Sequence, residues 1–174
     1  ETGYYLDKIK KVPLIDAKIA FSKDNFTINR KSKWITNLRS RKVVHLIRSK
    51  YDCIISTSKT INKDNSLLNC GLDGLNNYKP DLIIIDRNLS LKKKLKLFNI
   101  TNRRRTYIVT TSNNAKKISF LKFKKIKVIQ LSSLKYKEDF DYLFQILFKK
   151  GKRRLLIESG LIFLKTLLNF KLLN

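Results

Sequence analysis

Short apolar runs alternate with stretches of helical period along this chain, and polar clusters separate them. The clearest run is Leu82-Ile83-Ile84-Ile85, closed by Asp86-Arg87, which has the pattern of a fully buried strand. Cys53 to Ser56 is a run of the same kind that stops in a cluster of Ser, Thr and Asn, as a buried strand of an α/β sheet does. Further strands are predicted over 14–22, introduced by Pro13, and over 106–110, 127–131 and 154–158. Helical period marks three segments. After Thr36, a good N-cap, Val44, Ile47 and Tyr51 share one face while Arg39, Arg41, Arg48 and Lys50 take others, so a helix is expected from near Asn37 to near Lys50. Over 138–149, Phe140, Leu143, Phe144 and Leu147 fall on one face and Gly151 follows as a stop signal. A last helix is expected from about Leu161. The other segments have the character of connections: a basic lead-in over 4–11, polar loops over 22–31 and 71–80, a basic solvated stretch over 92–105, and a polar turn over 111–115 that leads into a basic loop. The alternation predicts one α/β domain with a central, mainly parallel sheet flanked by helices.

Composition changes this picture little. At 174 residues and 43% hydrophobic content, the chain is long enough for one core of real size. Its 39 Lys and Arg against 13 Asp and Glu give a formal charge of +26, which raises the question of a nucleic acid or another anionic partner. The cations are spread along the chain, mostly as Lys beside Asn and Ile, so a dedicated nucleic-acid surface is not expected, although attraction for phosphate-bearing ligands follows. Two cysteines without close spacing, Cys53 and Cys70, and a single histidine, His45, cannot build a structural zinc site or a zinc deaminase centre. Cys53 is expected to be a small core residue in a reducing compartment. No apolar leader opens the chain, and the apolar stretch over 155–173 is broken by Glu158, Lys165 and Lys171, so neither a signal peptide nor a membrane span is predicted; the chain reads as cytoplasmic.

Several residues admit both a bland and a chemical role. Lys18 inside a strand either points to solvent or faces a polar site. Trp34, the only tryptophan, has the usual fate of a core anchor. Arg48 at a helix end suits the helix dipole as well as it suits a ligand. Ser56 to Thr60 is either an ordinary polar connection or an anion site, and Glu158-Ser159-Gly160 is either a tight turn or the start of a helix whose free N–H groups meet a phosphate.

The order and spacing of these blocks resemble one family, the reductase domain of the bifunctional deaminase–reductase of riboflavin biosynthesis. The resemblance rests on Ser32-Lys33-Trp34-Ile35-Thr36, a helix carrying Arg48 in its last turn, a strand, and Thr60 followed by Asp64 and Leu67-Leu68. It is supported by Ala17-Lys18-Ile19-Ala20 before this stretch, Ile84-Ile85-Asp86-Arg87 after it, and Leu156-Ile157-Glu158-Ser159-Gly160 near the end. It implies a dihydrofolate-reductase-like fold, from which the last strands are missing here, so that residues 1–174 are expected to be a single truncated reductase domain without a deaminase domain. It implies NADPH as cofactor and reduction of 5-amino-6-(5-phosphoribosylamino)uracil to its ribitylamino form. Lys18 and Glu158 are then the catalytic positions; Ser32, Arg48 and Leu68 bind substrate; and Ala20, Trp34, Thr60, Asp64, Arg87, Gly160 and Leu161 line the cofactor, with no metal. Arg87 is the candidate contact for a ribose 2′-phosphate. Because the family's terminal strands often take part in dimerisation, a homodimer is a further expectation, and the deaminase step would come from a separate polypeptide or be missing. The chain departs from the family at Asn25, where glycine is usual; at Gly71, where the family has a second phosphate-binding arginine that Lys63 would have to replace; and at Leu161 and Ile162, where proline and threonine are usual. The competing expectation is a catalytically degenerate member that binds RNA or another polyanion.

Overall fold

The computed structural model describes residues 2–24, 27, 35–75 and 80–174. A short helix α1 (Thr2–Tyr5) and a π-helical turn (Leu6–Lys10) lead into β1 (Leu14–Ala17), and α2 (Leu38–Ser49) is followed by β2 (Cys53–Thr57) and α3 (Ser58–Asp64). Then come β3 (Asp81–Ile85), a 3-10 turn (Lys96–Asn99), β4 (Thr106–Thr110), α4 (Ala115–Phe123), β5 (Lys127–Gln130), α5 (Lys137–Lys149), β6 (Arg154–Ile157) and α6 (Leu161–Asn169). The six strands form one sheet in the order β1-β6-β2-β3-β4-β5, and every neighbouring pair is parallel.

Strand alternation divides the core into two layers. Cys53, Ile55, Ile83, Ile85, Tyr107, Val109, Leu155 and Ile157 face Phe140, Leu143, Phe144 and Leu147 of α5 and Leu167 of α6. Ile54, Leu82, Ile84, Ile108 and Leu156 face Ile61 of α3 and Leu121 of α4, with Ile47 and Tyr51 packed against them from the end of α2. Each such aliphatic side chain removed from water contributes roughly 1.5–3 kcal/mol. Both faces of the sheet are therefore covered, as a parallel sheet requires.

The connections fix where a ligand can bind. β2 feeds α3 on one face of the sheet, whereas its neighbour β6 feeds α6 on the other. Adjacent strands whose connections leave to opposite faces open a crevice at their carboxyl ends, the topological switch point of an open α/β sheet.

Four expectations are corrected. The first strand stops at Ala17, because β6 ends at Ile157 and leaves β1 only one more bond, from Lys18 N–H to the Ile157 carbonyl at 3.0 Å. Its other edge is met by Asn174, whose N–H and side-chain oxygen both bond Ile15. The cap of α2 is Asn37 rather than Thr36, with its Oδ1 accepting from Ser40 N–H at 2.8 Å. The basic loop after residue 115 is helix α4, capped by Asn114 and anchored by Leu121. The stretch over 92–105 is not wholly solvated, since Leu95, Leu97, Phe98 and Arg104 are buried.

Candidate active site

At the switch point, β6 ends in Glu158, whose N–H still bonds the Ile55 carbonyl of β2 at 2.9 Å. Alternation from Leu156 turns the Glu158 side chain toward the α2 and α3 layer, where it is 7% exposed. Arg48 reaches it from the last turn of α2. Its Nε donates to Oε1 at 2.6 Å and its Nη2 to Oε2 at 2.9 Å, while Nη1 donates to the Asn69 carbonyl at 3.1 Å. These contacts use three of the five guanidinium N–H groups and leave two for a ligand. Two residues that the resemblance assigns separately, one to a phosphate and one to the reacting sugar, thus form one buried, forked ion pair.

Lys18, half-buried, follows β1 directly and is held beside the end of β6 by its N–H bond to Ile157. Ala20, also half-buried, continues the same segment. On the other side of β6, Thr57 caps α3, and its Oγ1 lies 3.1 Å from Thr60 Oγ1. Thr60 Oγ1 also accepts from Gly160 N–H at 3.3 Å, tying α3 to the start of α6 across the crevice. Two hydroxyls sharing one mutual bond retain one proton for a further acceptor. Gly160 caps α6 with φ −70°, which any residue can adopt, so its lack of a side chain matters for space. Among the described residues a Cβ there would meet only Thr60 Oγ1, at 4.0 Å. Leu161, the first residue of α6, is exposed beside it, where the N–H groups of the first turn have no partner within the helix.

Asp64 ends α3 and is exposed. Leu68 is buried in the left-handed conformation at φ 49°. Arg87 follows β3, is exposed, and binds the Leu134 carbonyl through Nη2; the preceding Asp86 is buried and accepts from Ser90 and Leu91. Ser32 and Trp34, like Asn25, lie outside the described residues. Among the described residues no three His, Cys, Asp or Glu stand close enough to hold a metal, and no helix is long and apolar enough to cross a membrane.

Two contributors are not visible in the sequence pattern. Gly71, where the family has arginine, gives its N–H to His45 Nδ1 at 3.0 Å. Because the Gly71 N–H points at it, Nδ1 is the acceptor in that bond; the Asn69 carbonyl, which accepts from Arg48, also lies 3.0 Å from Nδ1. A Cβ at Gly71 would come within 3.4 Å of the imidazole. The two positions therefore fit each other, and a cavity of about 630 Å³ lined by Arg41, Lys42, His45 and the 71–75 loop opens beside them. Lys63, the expected replacement cation, is exposed in the last turn of α3. The second contributor is Arg104, 3% exposed, which donates to the carbonyls of Pro80 at 2.6 Å, Leu67, and Leu68 at 3.0 Å. Burial, then the nearby charge of Arg48, pushes its pKa down to about 10, so it stays charged at neutral pH. Nothing in Arg103-Arg104-Arg105 marks the middle residue as the inward one.

Comparison with known proteins decides the family. Residues 13–174 match the family described as the RibD C-terminal domain. The chain belongs to that family. It is 30% identical to the riboflavin biosynthesis protein RibD of Buchnera aphidicola subsp. Baizongia pistaciae over 99% of this chain and 49% of that protein. Acinetobacter baumannii RibD shares the fold, with a TM-score of 0.81 at 22% identity over 99% of this chain and 47% of that one. So does the diaminohydroxyphosphoribosylaminopyrimidine deaminase/5-amino-6-(5-phosphoribosylamino)uracil reductase of Thermotoga maritima, with a TM-score of 0.72 at 22% identity over 91% and 42%. The chain spans half or less of the length of the curated relatives it matches. The dihydrofolate-reductase-like expectation is met by the parallel six-stranded sheet and by these neighbours of the RibD C-terminal domain.

Proposed function

We propose that this RibD C-terminal domain reduces 5-amino-6-(5-phosphoribosylamino)uracil to the ribitylamino form with NADPH. The observation that carries the reading is the convergence at one switch point of Lys18, the Arg48–Glu158 pair and the Thr60–Gly160 contact. The Thermotoga maritima protein that shares this fold is described as a reductase of that compound.

The residues fit the cofactor. The first turn of α6 supplies unpartnered N–H groups for a pyrophosphate, the absent side chain at Gly160 leaves room for its approach, and Thr60 brings a hydroxyl. Asp64 accepts from hydroxyl or amide groups, Ala20 and Leu161 flank the cofactor, and Arg87 offers a fork to a ribose 2′-phosphate; Trp34, outside the described residues, is assigned to the cofactor by the resemblance alone. When bound, NADPH supplies a hydride. The chain's own work is placement in a site that excludes water. Glu158, oriented by the two bonds from Arg48, accepts hydrogen bonds from the sugar and fixes its rotation. Lys18 is assigned to donate to a sugar oxygen and to supply the proton that the opened ribose ring takes up. The two remaining N–H groups of Arg48 receive the substrate phosphate beside Leu68, and Lys42 adds positive potential from the neighbouring cavity; Ser32, outside the described residues, is assigned to the same phosphate by the resemblance alone.

The test is NADPH titration of the purified chain, followed as quenching of Trp34 fluorescence, with NADH and Arg87→Ala as controls. The expected result is saturable quenching that prefers NADPH and weakens roughly tenfold in Arg87→Ala, the scale of one hydrogen bond between charged groups. Turnover on the phosphorylated substrate should accompany it. A folded chain that shows no quenching would sink the cofactor reading and shift the weight to a polyanion-binding member of the family.

A further inference from the structure

We propose that Arg104 is a positioning residue for the Arg48–Glu158 pair, acting through the main chain over 67–69. Its catalytic consequence, though not its structural basis, rests on the reductase reading. Arg104 is buried before β4 and places all three nitrogen positions of its guanidinium on carbonyls: Nε on Pro80, Nη1 on Leu67 and Nη2 on Leu68. The segment it grips is not regular structure. It follows α3 after the left-handed Asn65 and includes a second left-handed residue, Leu68, so no helix or sheet ladder holds its carbonyls. The carbonyl next in sequence, that of Asn69, accepts from Arg48 Nη1 and so helps to set the rotation of the guanidinium whose other edge forks Glu158. From the α2 side the same segment is tied to His45, by Cys70 Sγ donating to the His45 carbonyl at 3.2 Å and by Gly71 N–H donating to Nδ1. Arg104 thus fixes the near end of a strip whose middle orients Arg48. Arg104 is held near a second cation at a cost, since the charge of Arg48 adds to burial in lowering its affinity for its proton. A planar three-carbonyl grip is something lysine cannot reproduce.

The experiment is exchange of the side-chain Nε–H of Arg48 in 15N-labelled protein, compared with the slowest backbone amides of β3. In Arg104→Lys, the Arg48 Nε–H should exchange about tenfold faster or more while the β3 amides change far less, the scale expected for one lost hydrogen bond to a charged group. In turnover, Arg104→Lys should raise KM for the phosphorylated substrate, leave the NADPH dissociation constant near that of the unaltered chain, and add nothing further in an Arg48→Lys background. A folded Arg104→Lys whose Arg48 Nε–H exchanges as before, or whose effect simply adds to that of Arg48→Lys, overturns the proposal. Should Arg104 variants not fold, the unaltered chain decides: Arg104 and Arg48 Nε–H groups opening together along a denaturant series supports it, and Arg48 opening independently at low denaturant overturns it. An unaltered chain without turnover defeats the reductase reading alone, because the exchange result still stands or falls by itself.

Discussion

Arg48 and Glu158 are each 12% or less exposed at the side chain, and among the described residues neither has another opposite charge within ion-pair distance. Removing one partner therefore leaves the other buried and uncompensated, which typically costs about 3–5 kcal/mol, whereas replacing both with apolar groups of similar volume is often near neutral. Glu158→Ala is thus expected to lower unfolding stability by about that amount, and Arg48→Met with Glu158→Leu to regain most of it while remaining inactive. Urea unfolding beside a turnover assay checks both halves. Recovered activity in the double variant would show that the pair is a structural device only. At this scale the sequence was informative about position: it put Lys18 directly after β1, Thr60 in the helix after β2, and Glu158 and Gly160 between β6 and α6. It was silent on Arg104, because in a run of three arginines every residue has the same hydropathy and only the fold decides which one turns inward.

The elements show what periodicity can carry. Helix α5 was legible because Phe140, Leu143, Phe144 and Leu147 are all buried on a single layer. Helix α4 was not, because it buries only Leu121 and leaves Phe123 exposed, so its stripe is too narrow to stand out among the lysines. The start of α5 also carries a titration. The Asp139 carboxylate accepts from Lys135 N–H at 2.8 Å and Tyr136 N–H at 2.9 Å. The Tyr136 bond, ahead of the lesser contributions of Ser133, Lys135 and the charge of Arg87, holds the carboxyl below the usual Asp range. A depressed native pKa means that the unfolded chain takes up this proton first as pH falls. The contribution is therefore complete above the ordinary carboxylate pKa, near 4, and disappears as pH drops through the lower native value. Asp139→Ala should lower Tm at neutral pH, and the gap should narrow only below about pH 4 in thermal unfolding measured across pH. A gap that stayed constant down to the lowest folded pH would mean that the cap works without its charge.

For the whole molecule the governing fact is charge. With 39 cations against 13 acids, most Lys and Arg have no acid to meet. Four of the six ion pairs among the described residues share two acids, Asp7 with Lys8 and Arg153, and Asp81 with Arg105 and Lys152. Self-repulsion in the compact state should then outweigh the exposed pairs, which are each worth about 0–1 kcal/mol and lose little on screening. Added salt shortens the Debye length from about 30 Å at 0.01 M to about 8 Å at 0.15 M and weakens repulsion between charges spread over the surface. The chain should accordingly become more stable with salt. Between about 0.01 and 0.3 M potassium chloride, Tm is expected to rise by several degrees, as a gain of about 1–2 kcal/mol gives in a domain of this size. The same screening should weaken binding of NADPH and of any phosphorylated substrate, because their attraction to the site shares that field. Thermal scans and NADPH titrations over one salt series read the two effects together. Opposite trends in Tm and affinity are the signature of a surface whose charge serves its ligands at the expense of the fold; a Tm that falls with salt would show instead that the ion pairs dominate.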